Sequence, residues 1–219
     1  MRFSQLTVWL CFIAPAFSAQ ALEPGFDCPK ADSDAEEAIC QSDALADLDL
    51  ELSRLYRAAM EGSHINPDRK ARLQTEQRGW IKGRNECWKS SLGLETCVAN
   101  SYAARIHDIR EGYADSRTEG GKSTGPFAVV CDGLDGIISA VFVNTVEPLV
   151  SLKWRTNAVI LPLSPSGSGA KYESDVWSVP DAASGSVFTG TTTFWTKGEE
   201  ALFRLPGGPS LNCVFDETG

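Results

Sequence analysis

The stretch SPSGSGAKYES, Ser164 to Ser174, sets two Ser-Gly pairs ahead of Lys171 and Tyr172, and a second cation, Lys197, follows within FWTKGEE. Hydroxyls and ammonium groups on Gly-rich turns can cradle a phosphate or form a Ser/Lys nucleophile pair, or the stretch can merely make a turn. A phosphate-binding loop needs Gly-Lys followed by Ser or Thr at the start of a helix. Here Ala170 precedes the lysine, Tyr172 follows it, and the surrounding residues are β-formers. A nucleophile built from Ser168 and Lys197 lacks both a Ser-x-x-Lys arrangement and a visible oxyanion-hole motif.

Other chemistry is sparse. His64 and His107 are the only histidines and no Cys-x-x-Cys spacing occurs, so neither a metal centre nor a cofactor is expected. His107, beside Ile106 and Ile109, reads as a partly exposed structural residue. Asp43, Asp47, Asp49 and Glu51 lack the glycine and terminal glutamate of a calcium loop and read as a solvated helix face. A net charge of −9, spread over both halves of the chain, excludes nucleic acid as the natural partner and favours a basic one.

Met1-Arg2, the apolar run Leu6 to Phe17 and Ala19-Gln20-Ala21 have the regions of a secretory signal, residues 1–21, cleaved before Leu22. The run is too short for a stable membrane anchor. Cys11 sits behind bulky Trp9 and Leu10, where lipid attachment needs a small residue. The mature chain keeps six cysteines, an even set bound for an oxidising compartment, so disulfides are expected.

Two textures position these residues. From Ser33 to Tyr113 apolar residues recur at helical spacing. Ser33 with Glu36 forms a capping box before a short helical turn holding Cys40. Leu45, Leu48, Leu52, Leu55 and Ala59 mark a helix behind Ser42. Asn66-Pro67 opens a second, with Leu73, Trp80, Ile81, Cys87 and Trp88 on its buried side, and Val98, Tyr102, Ile106, Ile109 and Tyr113 mark a third. Antiparallel packing of these helices suggests Cys40–Cys87 and Cys28–Cys97 pairing, one of three connectivities. Residues 116–125, SRTEGGKSTG, read as a flexible linker. Eight short β-rich runs then follow between Phe127 and Phe215, separated by Gly, Pro, Asn and Ser turns, as in an antiparallel barrel or sandwich. Cys131 and Cys213 fall on the first and last of them. The expected fold class is therefore α+β in two domains: a small disulfide-linked helical domain, residues 22–115, then a β domain, residues 126–219.

The ordered motifs FAVVCDG, SGAKY, FWTKGEEALF and Cys213 resemble the C-type lysozyme inhibitor family of Gram-negative bacteria, the MliC/PliC type, over most of residues 126–216. FDCPKADSDAEEAIC, ALADLDLELSRLYRAA, EQRGWIKGRNEC and SYAARI are similar to the LprI-like domain, a secreted four-cysteine module itself associated with lysozyme inhibition. The resemblance implies an eight-stranded antiparallel β-barrel, a periplasmic location and C-type lysozyme as partner. It assigns contact with the enzyme's catalytic carboxylates to Ser168 and Lys197, with Gly169 and Gly198 making the turns and Tyr172 and Trp195 supporting the loops from within the barrel. Ser166 competes with Ser168, but only Ser168 has a tyrosine four residues later. About fifteen residues are added between Tyr172 and Trp195 relative to the family hairpin, which bears on the relative geometry of the two loops. The alternative function is a cell-envelope binding module whose helical domain recognises another protein or a cell-wall component.

Overall fold

The computed structural model describes residues 21–178 and 187–216. Residues 1–20 of the expected signal segment, Cys11 among them, lie outside the described residues. Helix α1 (Asp34–Gln41) opens where the Ser33 hydroxyl accepts the Glu36 amide and the Glu36 carboxylate turns back to the Asp32 amide. Ser42 ends α1 and caps α2 (Asp43–Glu61) by accepting the Leu45 amide. Asn66 caps α3 (Pro67–Asn85) through the Arg69 amide, and α4 (Leu94–Gly112) follows a tight reversal at Gly93. The apolar stripe of α2 meets Val98, Tyr102, Ile106 and Ile109 of α4 in one buried core. Helix α3 contributes less than its apolar residues suggest: Leu73 is buried, but Ile81 and Trp88 are exposed.

The expected Cys40–Cys87 and Cys28–Cys97 bridges are not formed; the pairs are Cys28–Cys40 and Cys87–Cys97. Cys40 closes the separate short helix α1 and does not open the first long one, so it reaches back only to the turn at Cys28–Lys30. Cys87 stands just past α3 and faces Cys97 in the first turn of α4 across the chain reversal. Both bridges therefore staple local reversals, and packing between the long helices is left to side chains.

The β part is a closed antiparallel barrel of eight strands in sequential order: β1 (Ser123–Cys131), β2 (Ile138–Val143), β3 (Leu149–Trp154), β4 (Asn157–Ser164), β5 (Ala170–Ser178), β6 (Val187–Lys197), β7 (Glu200–Arg204) and β8 (Leu211–Asp216). Cys131 and Cys213 are register partners on the closing strands and are joined by a disulfide. Strand β7 alternates buried and exposed residues, as a half-solvated strand does. In contrast, β2 to β4 are covered on both faces. Val150, Leu152 and Leu161 fill the barrel, while Val141, Val143, Leu149 and Ile160 on the outer wall join the helical core.

That shared core departs from the flexible-linker expectation. Ala114–Arg117 form a turn with Ser116 fully buried, and Ser123 already lies in β1. The acids expected on a solvated face, apart from Asp43, are buried as well, and each has donors. Asp47 accepts from the Val146 amide (3.0 Å) and pairs with Lys122, while Asp49 accepts from the Tyr102 hydroxyl (2.7 Å) and the Gly25 amide (2.7 Å). Glu51 is held by Arg54 (2.8 Å) and the Ser123 hydroxyl (2.5 Å). Burial alone pushes the Glu51 carboxyl up, but Arg54, Ser123 and the Lys122 amide together hold it below its ordinary value.

His107 is wholly buried, not partly exposed. Its Nδ1 meets Ser151 Oγ at 2.8 Å and its Nε2 meets Ser139 Oγ at 2.9 Å, so α4 is fastened to the outer wall of β2 and β3. Burial, then the nearby Lys153 cation, lower its pKa to about 3, and Lys153 is itself paired with Asp108 and Glu111 of α4. The unfolded chain takes up a proton near the ordinary value of about 6.5 that the folded one refuses. Stability from this group is thus complete above about pH 6.5 and is lost as pH falls toward about 3, by up to about 1.4 kcal/mol per pH unit. Carboxylates such as Glu51 weaken the fold only below about pH 4.5. Denaturant unfolding measured from about pH 7 to about pH 5 should therefore show a loss that His107→Gln, which keeps a donor and an acceptor without titrating, removes.

Candidate functional site

Alternation of hairpins puts the β2–β3, β4–β5 and β6–β7 connections at one end of the barrel, with the start of β1 and the end of β8. The β5–β6 connection and the Cys131–Cys213 bridge mark the other end. Ser168 and Lys197 therefore share one rim. Ala170 pairs with Thr196 and Lys171 with Trp195, so the chain leaving the Ser168 loop runs beside the chain entering the Lys197 turn.

Gly169 makes this approach possible. Its φ is +66°, and a Cβ there would stand 2.2 Å from the Thr196 carbonyl oxygen and 3.4 Å from Lys197 Cβ. Gly198, at φ +63°, opens the two-residue turn that lets Lys197 pair with Glu200, as a hairpin with glycine at its first turn position does. Tyr172 supports the rim from inside: it is buried against Phe142 and pairs in register with Phe194. Trp195 does not. Its neighbour Phe194 points into the barrel, so Trp195 lies on the outer face, where its Nε1 donates to the Ser168 carbonyl at 2.8 Å. The alternation of FWTK along β6 carries this signal, because residues next to each other in a strand point to opposite faces.

The polar groups divide into those already engaged and those facing outward. Ser166 Oγ donates to the Gly169 carbonyl at 2.9 Å, which ties its hydroxyl into the loop. Lys171 pairs with Glu173 at 2.8 Å; with a further hydrogen bond from Thr193, this holds the Glu173 carboxyl below its ordinary value. Ser168 and Lys197 are exposed, and among the described residues the Ser168 hydroxyl has no partner and Lys197 no ion pair. Exposed Glu199 and Glu200 flank the Lys197 turn.

Between Tyr172 and Trp195 the β5–β6 hairpin is long and pairs out to Ser178 and Val187. Its tip, residues 179–186, lies outside the described residues. A register shift between Ser174 and Val176 absorbs an irregularity beyond the rim. Pairing of Ala170 with Thr196 and Tyr172 with Phe194 is continuous, so the extension leaves the juxtaposition of the two loops intact.

The structure thus holds a closed barrel with an outward serine and lysine on adjoining turns, preceded by a four-cysteine helical unit. Residues 129–211 match the family model described as membrane-bound lysozyme-inhibitor of c-type lysozyme, MliC, and residues 28–109 match the one described as lysozyme inhibitor LprI. Lipoprotein LprI of Mycobacterium bovis and that of two Mycobacterium tuberculosis strains are each 31% identical over 148 residues, covering 67% of this chain and 69% of theirs. No solved structure matches the chain. The chain belongs to the LprI lysozyme-inhibitor family, with its MliC-type region forming the barrel.

Gly169→Ala tests the loop geometry. The left-handed backbone costs a side chain about 1–2 kcal/mol, and the Thr196 carbonyl must also move. The variant should show a lowered melting temperature and altered amide shifts at both Ser168 and Lys197. Gly167→Ala, at a position with open space around the added carbon, should show neither.

Proposed function

We propose that this protein is an exported inhibitor of C-type lysozyme whose rim loops enter the enzyme's active-site cleft. The observation that carries this reading is the pairing of an exposed, unengaged hydroxyl and ammonium on two turns that touch at Gly169. A retaining glycosidase works with one ionised carboxylate and one protonated acid whose pKa its surroundings raise. The Lys197 ammonium pairs with the ionised group, and its charge lowers the pKa of the other and so removes the general acid. Ser168 Oγ donates to or accepts from either carboxyl. The acidic chain and its rim acids Glu199 and Glu200 attract a basic enzyme and raise the association rate.

Among the described residues no helix is long and apolar enough to cross a membrane. We read the protein as released into the periplasm from residue 22, without a lipid on Cys11. Intact mass of the exported protein should equal that of residues 22–219 less six hydrogens for three disulfides; an added acyl mass would overturn this part of the reading.

Lys197→Ala should weaken inhibition by roughly thirty-fold to a few thousand-fold, the cost of truncating one member of a buried charge pair, with an unchanged melting temperature. Ser168→Ala should cost less, about 1–3 kcal/mol, because only a neutral hydroxyl is lost. Lys171→Ala, which removes a cation already committed to Glu173, should inhibit like the parent. Titration of each variant into a lysozyme turbidity assay reads all three, and full inhibition by Lys197→Ala would sink the mechanism.

A further inference from the structure

The rim holds a third hairpin that lies outside the Ser168 and Lys197 motifs. The β2–β3 loop, residues 144–148, ends beside the Ser168 loop: the Leu163 amide, at the close of β4, donates to the Pro148 carbonyl at 2.9 Å. Two apolar side chains stand out on this side, Val146 at 61% exposure and Leu163 at 44%. The loop itself is firmly held. The Asn144 amide donates to the Lys122 carbonyl at 2.6 Å, Thr145 Oγ1 donates to the Glu147 carbonyl at 3.1 Å, and the Val146 amide donates to the buried Asp47 of α2 at 3.0 Å. An exposed valine on a loop fixed at three points presents apolar surface without much ordering cost on binding, which is the form a contact residue takes.

We propose that Val146 is a third contact in the inhibitory interface, and that Asp47 is a positioning residue through which the helical unit holds this contact in place. The inference rests on the lysozyme-inhibitor reading and names the same partner. Strands lie about 4.8 Å apart, so the β2–β3 hairpin is about 10 Å around the rim from the β4–β5 hairpin and about 20 Å from the β6–β7 turn. A standard interface covers about 800 Å² per partner, a patch roughly 30 Å across. An enzyme seated on Ser168 and Lys197 therefore covers Val146 as well. The arrangement gives the polar Ser168/Lys197 pair an apolar neighbour, and interfaces draw most of their affinity from such desolvated centres.

The test uses the full chain and a purified C-type lysozyme, with dissociation constants from calorimetry and melting temperatures measured alongside. Val146→Ser changes no charge and lies on an exposed side chain. It should weaken binding about tenfold, the cost of leaving that apolar surface unburied, at an unchanged melting temperature. If Lys197→Ala weakens binding while Val146→Ser does not, this inference is overturned and the inhibitor reading stands. If neither variant has an effect, the inhibitor reading itself has failed. Asp47→Ala should weaken binding, Asp47→Asn should restore much of it by keeping an acceptor for the Val146 amide, and Asp47→Ala should add little in the Val146→Ser background. Full additivity of those two changes would overturn the positioning role. Should Asp47→Ala fail to fold, faster amide exchange at Val146 in Asp47→Asn relative to Asp47→Ala's parent chain, without weaker binding, would overturn it equally.

Discussion

Asp47, Asp49 and Glu51 are withdrawn from water along a stretch of little more than one turn of α2, and a carboxylate survives such burial only where donors replace its hydration shell. Those donors come from every direction. The segment before α1 sends the Gly25 amide, α4 sends the Tyr102 hydroxyl, and the chain leading into the barrel sends Lys122 and the Ser123 hydroxyl. Removing any of these elements takes a donor from a buried carboxylate. The carboxylates thereby make the helical unit and the barrel one folded body. Tyr102 shows how closely the network is balanced: burial and the adjacent Asp49 charge hold its hydroxyl proton tightly, so it donates to Asp49 while accepting from Arg84.

The barrel is correspondingly two-sided. On the α4 side, β2 to β4 are sealed by apolar side chains and by the His107 bridge to Ser139 and Ser151. On the other side, β7 and β8 alternate toward solvent. The rim is braced around Ser168 and Lys197. Trp195 braces the Ser168 carbonyl from outside, Tyr172 packs beneath from inside, and Gly169 lets the two turns touch. The groups pointing outward are the ones without internal obligations, whereas Ser166 and Lys171, of the same chemistry and only residues away, are spent on the loop itself.

The strands were legible because turn residues punctuate them at regular intervals, and the helices because Ser42, Asn66 and the leucine spacing announce themselves. The rim residues are singled out by motif resemblance alone, since periodicity says nothing about what an exposed lysine is for. Three things were not legible. The two helical-domain disulfides were misassigned because antiparallel packing was expected to bring Cys40 to Cys87, whereas each bridge closes a local reversal, with partners 12 and 10 residues apart. The buried acids were misread because exposure was inferred from charge, while their donors lie up to 99 residues away in sequence. Docking of the two halves did leave a trace: ISAVFV, LVSLKW and NAVIL lack the polar alternation of a strand with a wet outer face. That trace becomes readable only once the strands are known to form one closed wall.

The long β5–β6 hairpin extends from the barrel end opposite the rim. Chain length can thus be gained or lost there without disturbing the pairing of Ala170 with Thr196. The fold separates a segment whose length bears little on the barrel from one held in fixed register at the rim, although both belong to the same two strands. Two chains that differ in the length of this hairpin can still hold the same rim geometry, because the register beside the rim is set on the near side of the Ser174–Val176 shift.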